Sequence, residues 1–243
     1  MIKTFGLVGS VLKHSFSEIF FSDFFLKEGI DARYKNFELE NIQDITNIFA
    51  QRPSGLNVTI PYKETILPYL DELDPLARKI GAVNTIVFNG VKKIGYNTDV
   101  FGFQQSIKPF LTNQHERAII FGTGGAAKAV GFVLQEIGVD VIFISRDPLG
   151  KNKHFNYSEV NLQMLNACKL MVNCTPVGTF PTISDYLPLP YEGIGKDHLV
   201  IDLIYNPIKS VFLQKAESQG ATIMNGEAML KAQAMKSWSL WNN

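Results

Sequence analysis

The chain has 243 residues, 46% apolar and 19% charged, and its 23 basic and 23 acidic side chains leave no net charge. That composition supports a sizeable core in one or two domains and excludes intrinsic disorder. It has neither the basic surplus that a nucleic acid requires nor an apolar run of the ~18 residues needed to enter a bilayer.

Strand and helix signals alternate along the chain. Residues 5–8 read as a strand, and Gly6 and Gly9 interrupt the run too early for a secretion signal. Ser15-x-x-Glu18 is a capping-box pattern ahead of an apolar stripe at Ile19, Phe20, Phe24 and Phe25, and Gly29 closes that helix. A strand over 34–39, a helix over 42–50 and a short buried strand over 56–60 follow. Asp74-Pro75 caps a helix that Gly81 ends. Strands over 84–88 and 91–95 flank Asn89-Gly90, a strong hairpin signal.

The second half changes character. Apolar runs at 118–121, 139–144, 170–173, 199–203 and 221–224 alternate with helical segments, which implies a parallel sheet covered on both faces. The join is expected near residues 97–99, and a last helix over 226–241 is expected to return to the first domain. The expected fold is therefore α/β in two domains. Residues 1–98 with 226–243 form the first, and 99–225 form a doubly wound, Rossmann-type second.

Cys168 is expected in a helix and Cys174 at a strand end. Two cysteines make no disulfide framework, which favours a reducing cytoplasm. His14, His115, His154 and His198 show no metal-ligand spacing, so no metal is expected.

The run Gly122-Thr123-Gly124-Gly125-Ala126-Ala127 fits G-x-G-x-x-A between a strand and a helix. Gly122 permits the tight turn, Gly124 lets backbone amides approach a pyrophosphate, and Ala127 allows close helix–strand packing. A plain glycine-rich turn is the alternative. The next strand ends Ser145-Arg146-Asp147. An NAD site would put an acid there, whereas Arg146 can grip a 2′-phosphate, with Lys151 adding charge. This order favours NADP, and Asp147 keeps NAD open.

Lys63 follows Asn57-Val58-Thr59-Ile60-Pro61-Tyr62. Reducing a ketone needs a proton on the oxygen as hydride reaches the carbon, and an ammonium can donate it. A surface lysine at a helix start is the bland alternative. Asp99 could serve chemistry or cap the helix that follows it. Asn84 and Asn97 could be turn residues. Ser15 and Ser17 could be helix caps or could present hydroxyls to a carboxylate.

With these residues in place, the chain resembles the shikimate dehydrogenases over nearly its whole length. The matching runs are His14-Ser15-Phe16-Ser17, Asn57 through Lys63, Gly81-Ala82-Val83-Asn84-Thr85 and Gly95-Tyr96-Asn97-Thr98-Asp99. The glycine loop, Asn173-Cys174-Thr175-Pro176, Asp202-Leu203-Ile204-Tyr205-Asn206-Pro207 and Gly226-Glu227-Ala228-Met229-Leu230-Lys231-Ala232-Gln233 continue the match in order.

The resemblance implies NADPH-dependent, reversible reduction of 3-dehydroshikimate to shikimate, on the route to chorismate and the aromatic amino acids. It implies Lys63 and Asp99 as the catalytic pair. Ser15, Ser17 and Thr59 would hold the carboxylate end, Asn84 and Gln233 would bind ring hydroxyls, and Tyr205 would line the pocket. Gly122, Thr123, Gly124, Gly125, Ala126, Ser145 and Arg146 would hold the cofactor, with Leu203 and Gly226 near the nicotinamide.

The chain departs from the pattern at four places. Glu18 stands for a usual proline, Cys174 for alanine, Gly178-Thr179 for Gly-Met, and Gly150 for a second phosphate-binding arginine. Monomer and homodimer both stay open. The competing readings are an NAD-using quinate/shikimate dehydrogenase and a sensor that has lost catalysis. Sensing needs neither Lys63 nor Asp99.

Overall fold

The computed structural model describes residues 2–13, 15–148, 150 and 152–242. His14 and Lys151, which enter the sequence reading, lie outside the described residues. Packing divides the chain into two units. One runs to Thr98 and resumes from Ala234, and the other is Asp99–Gln233.

The first unit contains β1 (Lys3–Gly9), α1 (Phe16–Lys27), β2 (Ala32–Glu38), α2 (Ile45–Ala50), β3 (Gly55–Val58), β4 (Glu72–Leu73), α3 (Pro75–Ile80), β5 (Thr85–Asn89) and β6 (Lys92–Tyr96). The sheet order is β2-β1-β3-β5-β6-β4. β1 lies parallel to β2 and β3, while β3–β5 and β5–β6 are antiparallel. The β5–β6 hairpin turns at Gly90, whose φ of 61° is open to glycine.

Alternation along β1 divides the core. Phe5 and Leu7 face a cluster with Phe21, Phe25, Tyr34 and the tryptophans Trp238 and Trp241. Val8 faces another with Ile45, Ile48, Leu56, Val58 and Ile86. Gly55 leaves room for the Trp241 ring: a Cβ there would lie 2.4 Å from it. The indole N–H donates to the Ile86 carbonyl at 3.0 Å.

Helix α1 starts as expected, with the Ser15 hydroxyl accepting from the Glu18 N–H. The reciprocal half of the capping box is replaced: the Glu18 carboxylate instead accepts from the Asn36 side chain at 2.6 Å. The apolar stripe also needs correction. Phe21 and Phe25 form the buried edge, while Ile19 is 66% exposed. Phenylalanine occurs nearly all round this helix, so periodicity could not select its inner face. The helix expected over 42–50 is a 3-10 turn at Ile42–Asp44 followed by α2.

The second unit contains α4 (Asp99–Ile107), β7 (Arg117–Phe121), α5 (Gly125–Glu136), β8 (Asp140–Ser145), β9 (His154–Asn156), α6 (Leu162–Ala167), β10 (Leu170–Asn173), β11 (Leu199–Asp202), α7 (Val211–Ser218) and β12 (Thr222–Met224). The final helix, α8 (Glu227–Trp241), spans the division, with its residues from Ala234 counted in the first unit. Its first turns pack on α4: a Cβ at Gly102 would lie 2.6 Å from the Met229 carbonyl oxygen.

The second sheet is parallel throughout, in the order β12-β11-β10-β7-β8-β9. Its core gathers Ile119, Phe121, Ile144, Met171, Val200 and Phe212. Cys168 caps α6 rather than lying within it. Burial pushes the Cys168 thiol up to about 11, so it behaves as a packing group.

Candidate active site

In the first unit Ser15, Ser17 and Thr59 follow the carboxyl ends of the parallel strands β1 and β3, where open α/β sheets present ligands, and Asn84 immediately precedes β5. Ser15 and Ser17 lie at the start of α1, after β1. Thr59 leaves β3, and its N–H donates to the Val8 carbonyl at 2.8 Å. A Cβ at Gly9 would lie 2.7 Å from the Thr59 methyl, so glycine keeps this crossing tight. Lys63 is half-buried within a series of turns rather than at a helix start. Its carbonyl accepts from the Val83 N–H at 2.8 Å, and the flanking Tyr62 and Ile66 are core residues.

Behind these residues runs a buried polar network. The Asn57 amide donates to the Asn84 carbonyl at 3.1 Å, to Thr85 Oγ1 at 3.1 Å and to Ser237 Oγ at 2.9 Å. Its oxygen accepts from the Tyr34 hydroxyl at 2.8 Å. The Asn84 side chain accepts from the Thr98 N–H at 2.7 Å and donates to Thr98 Oγ1 at 3.0 Å. Thr85 and Ser237 share a bond of 2.7 Å. The Asn97 amide donates to the Ala82 carbonyl at 3.0 Å.

Burial drives the Tyr34 phenol well above its ordinary range, and a bond from the Ser17 hydroxyl pulls it back. The network thus reaches from Ser17 to Asn84. Asp99 is buried as the first residue of α4. Gln233 is buried on α8 and donates to the Leu230 carbonyl at 3.0 Å. Tyr205 is half-buried after β11.

The implied cofactor residues gather in the second unit. Sheet order reverses direction between β7 and β10, and the glycine turn leaves β7 at that switch point. Gly122 has φ 104°, which favours glycine. Gly124 is exposed at the N-cap of α5 without a side-chain cap. A Cβ there would meet nothing within 4 Å, which leaves space at the helix N-terminus for a phosphate. Ala127 is fully buried, and a Cβ on Gly131 would lie 2.7 Å from the Phe143 ring, so α5 packs closely on its sheet. These features fit a dinucleotide.

Ser145 ends β8 buried, its hydroxyl donating to the Asp147 carbonyl at 2.6 Å. Arg146 is exposed, and its carbonyl accepts from the Asn156 amide at 2.8 Å. Its charge reaches Tyr157, whose phenol burial nevertheless pushes up to about 12. Among the described residues, no group of three or more His, Cys, Asp or Glu side chains is placed to hold a metal ion. No helix among them is long and apolar enough to cross a membrane.

Asp202 ends β11, and its sequence context alone assigns it no role. It is fully buried and accepts from the Asn173 amide at 3.0 Å, the Ile204 N–H at 3.0 Å and the Ser210 hydroxyl. A lone acid ending an apolar strand was the available signal. Burial pushes this carboxyl from an ordinary 3.8 up to about 6, against the pull of its three hydrogen bonds.

An acid raised by folding contributes stability that is fully present below its unfolded pKa and is lost as pH rises through the folded one. The window here runs from about 4 to about 6, and the loss is roughly 3 kcal/mol. The Asp202→Asn variant should lack this component. Urea midpoints measured across that window should show the gap between the two proteins moving in the variant's favour as pH rises. A constant gap would place the Asp202 titration elsewhere.

Residues 7–86 match the family model described as the shikimate dehydrogenase substrate binding domain. A shikimate dehydrogenase (NADP(+)) of Clostridium botulinum is 38% identical over 250 residues, spanning 98% of this chain and 96% of that one. The crystal structure of shikimate dehydrogenase 1 from Peptoclostridium difficile superposes with a TM-score of 0.87 at 37% identity, over 99% of this chain and 91% of that one. The Thermus thermophilus shikimate 5-dehydrogenase in complex with NADP(H) and shikimate superposes with a TM-score of 0.86 at 30% identity, over 98% and 93%.

Proposed function

The chain belongs to the shikimate dehydrogenase family, and on that premise we infer that it interconverts 3-dehydroshikimate and shikimate with NADP as cofactor. The observation that carries this reading is likeness across both halves, at 38% identity over 98% of the chain. Residues 1–98 with 226–243 are assigned to substrate binding and catalysis, and 99–225 to the cofactor.

The bound nicotinamide supplies or accepts the hydride. Lys63 delivers a proton to the carbonyl oxygen in reduction and takes it back in oxidation, paired with Asp99. Ser15, Ser17 and Thr59 hold the substrate carboxylate, assisted by the N-terminus of α1. Asn84 and Gln233 bind the ring hydroxyls, and Tyr205 lines the pocket. Burial and the Thr98 contacts hold the Asn84 amide in one orientation, which supports a positioning role.

Thr123, Gly125 and Ala126 complete the phosphate turn around Gly122 and Gly124, and Ser145 ends the strand that presents Arg146. Leu203 and Gly226 would flank the nicotinamide. Their backbones approach closely: a Cβ on Gly226 would lie 2.0 Å from the Leu203 carbonyl oxygen.

The test is steady-state oxidation of shikimate and of quinate, each with NADP and with NAD. Activity centred on shikimate with NADP is expected, and comparable rates with quinate or NAD would move the chain to a broader-specificity reading. Arg146→Ala should raise KM for NADP by about tenfold, the scale of one charge-assisted contact, with KM for NAD nearly unchanged. Equal effects on both cofactors would remove Arg146 from 2′-phosphate recognition.

A further inference from the structure

Three loops of the second unit converge on Asp202. On one side, its Oδ1 accepts from the Asn173 amide at 3.0 Å. Asn173 turns the chain after β10: its own oxygen accepts from the Thr175 N–H at 2.9 Å and from the Thr175 hydroxyl at 2.7 Å. Thr175 Oγ1 then accepts from the Val177 N–H at 3.3 Å. The Thr175 methyl lies 3.2 Å from the point a Cβ on Gly122 would occupy, and the Cys174 carbonyl carbon lies 3.4 Å from it. The Asn173 turn is therefore the wall behind the Gly122 turn.

On the other side, the same Oδ1 accepts from the Ile204 N–H at 3.0 Å. The Ile204 carbonyl in turn accepts from the Gly226 N–H at 3.1 Å. The Ser210 hydroxyl, which also caps α7, donates to Oδ2.

We propose that Asp202 is a positioning residue for cofactor binding, holding the Asn173–Thr175 turn against Gly122 and the Leu203–Ile204 segment against Gly226. The proposal rests on the cofactor assignment made above. Both carboxylate oxygens accept from donors of the surrounding loops, so Asp202 acts through those loops. A buried carboxylate suits the task because bonds to a charged acceptor are shorter and stiffer than neutral ones. Asn173 is fully buried and joins the two loops through a single amide. Neither loop can drift without breaking a buried hydrogen bond to Asp202.

The test compares Asp202→Ala, Asp202→Asn and Thr175→Val in the full-length chain. The readouts are NADP binding by titration calorimetry, separate KM values for NADP and shikimate, and the thermal unfolding midpoint. Asp202→Ala should weaken NADP binding and raise its KM roughly tenfold, the loss expected for one charged-group hydrogen bond. The shikimate KM should rise clearly less, because Ser15, Ser17, Thr59 and Asn84 lie in the other unit and only Tyr205 adjoins the Ile204 segment.

Asp202→Asn keeps an oxygen for Asn173 and Ile204, and the Ser210 hydroxyl can turn to accept, so it should recover most of the affinity. Thr175→Val keeps the methyl against Gly122 but loses the hydroxyl bond, and should weaken NADP in the same direction even if Asp202→Ala fails to fold. A purely structural Asp202 would lower the unfolding midpoint and the active fraction with both KM values unchanged, and that result overturns the proposal. Equal rises in both KM values overturn it too. Failure of the cofactor assignment itself would appear separately, as wild-type protein that does not bind NADP.

Discussion

Replacing Lys63 with alanine is expected to lower turnover by ~10²–10⁴, the usual worth of a general acid or base, while leaving KM for shikimate little changed. Neighbouring residues fix the backbone at this position. Tyr62 is buried and its hydroxyl donates to the Leu39 carbonyl at 2.6 Å. Ile66 is fully buried, and the Lys63 carbonyl is anchored by the Val83 N–H. Alanine keeps all three features, so stability should change by no more than about 1 kcal/mol.

The ammonium has a role that binding alone cannot replace, because the proton must reach the oxygen as charge develops there. Lys63→Arg sharpens the argument. Arginine retains charge but does not give up a proton in this pH range, so it should fail in oxidation as alanine does. Steady-state rates in both directions, read beside denaturation midpoints, check this. Normal turnover by Lys63→Ala would remove the lysine from the chemistry, and a folded but weakly binding variant would make it a substrate contact instead.

The second sheet was readable from sequence because fully buried parallel strands are written as continuous apolar runs. Residues 118–121, 139–144, 170–173 and 199–203 each found a strand within a residue or so of the expected bounds. The glycine turn was readable because Gly122 needs a backbone angle that other residues avoid. Strands β4 and β9, with two and three residues, are too short to leave a periodic signal. The inner face of α1 was hidden by its own phenylalanines. Candidate residues such as Lys63, Asn84 and Asp99 could be named because they stand in short ordered motifs. What holds them could not be read: Asn57 and Ser237 are 180 positions apart, and only folding makes them partners. Asp202 was visible as a letter, but its raised carboxyl depends on burial that the strand pattern does not quantify.

Asn57→Ala is expected to cost roughly 2–4 kcal/mol, a large fraction of the 5–15 kcal/mol that holds a typical domain. The side chain is 4% exposed and uses both ends. Its amide ties β3 to the Asn84 carbonyl, to Thr85 and to Ser237 on α8, and its oxygen satisfies the Tyr34 hydroxyl. Alanine leaves that phenol without its acceptor and opens a cavity among polar atoms, and both changes are costly in a buried site.

Ser237→Ala is the control. Thr85 and Thr98 keep their bonds to Asn84 when Ser237 is lost, so the cost should be nearer 1 kcal/mol. Unfolding midpoints of the two variants, with and without saturating shikimate, make the comparison. Asn84 lies one bond from Asn57, so Asn57→Ala should also weaken shikimate binding, and the stabilisation by shikimate should shrink in that variant more than in Ser237→Ala. Equal stabilities for the two variants would mean that Asn57 is one contact among many. A large gap that saturating shikimate does not alter would separate the network's structural task from any hold on the substrate residues.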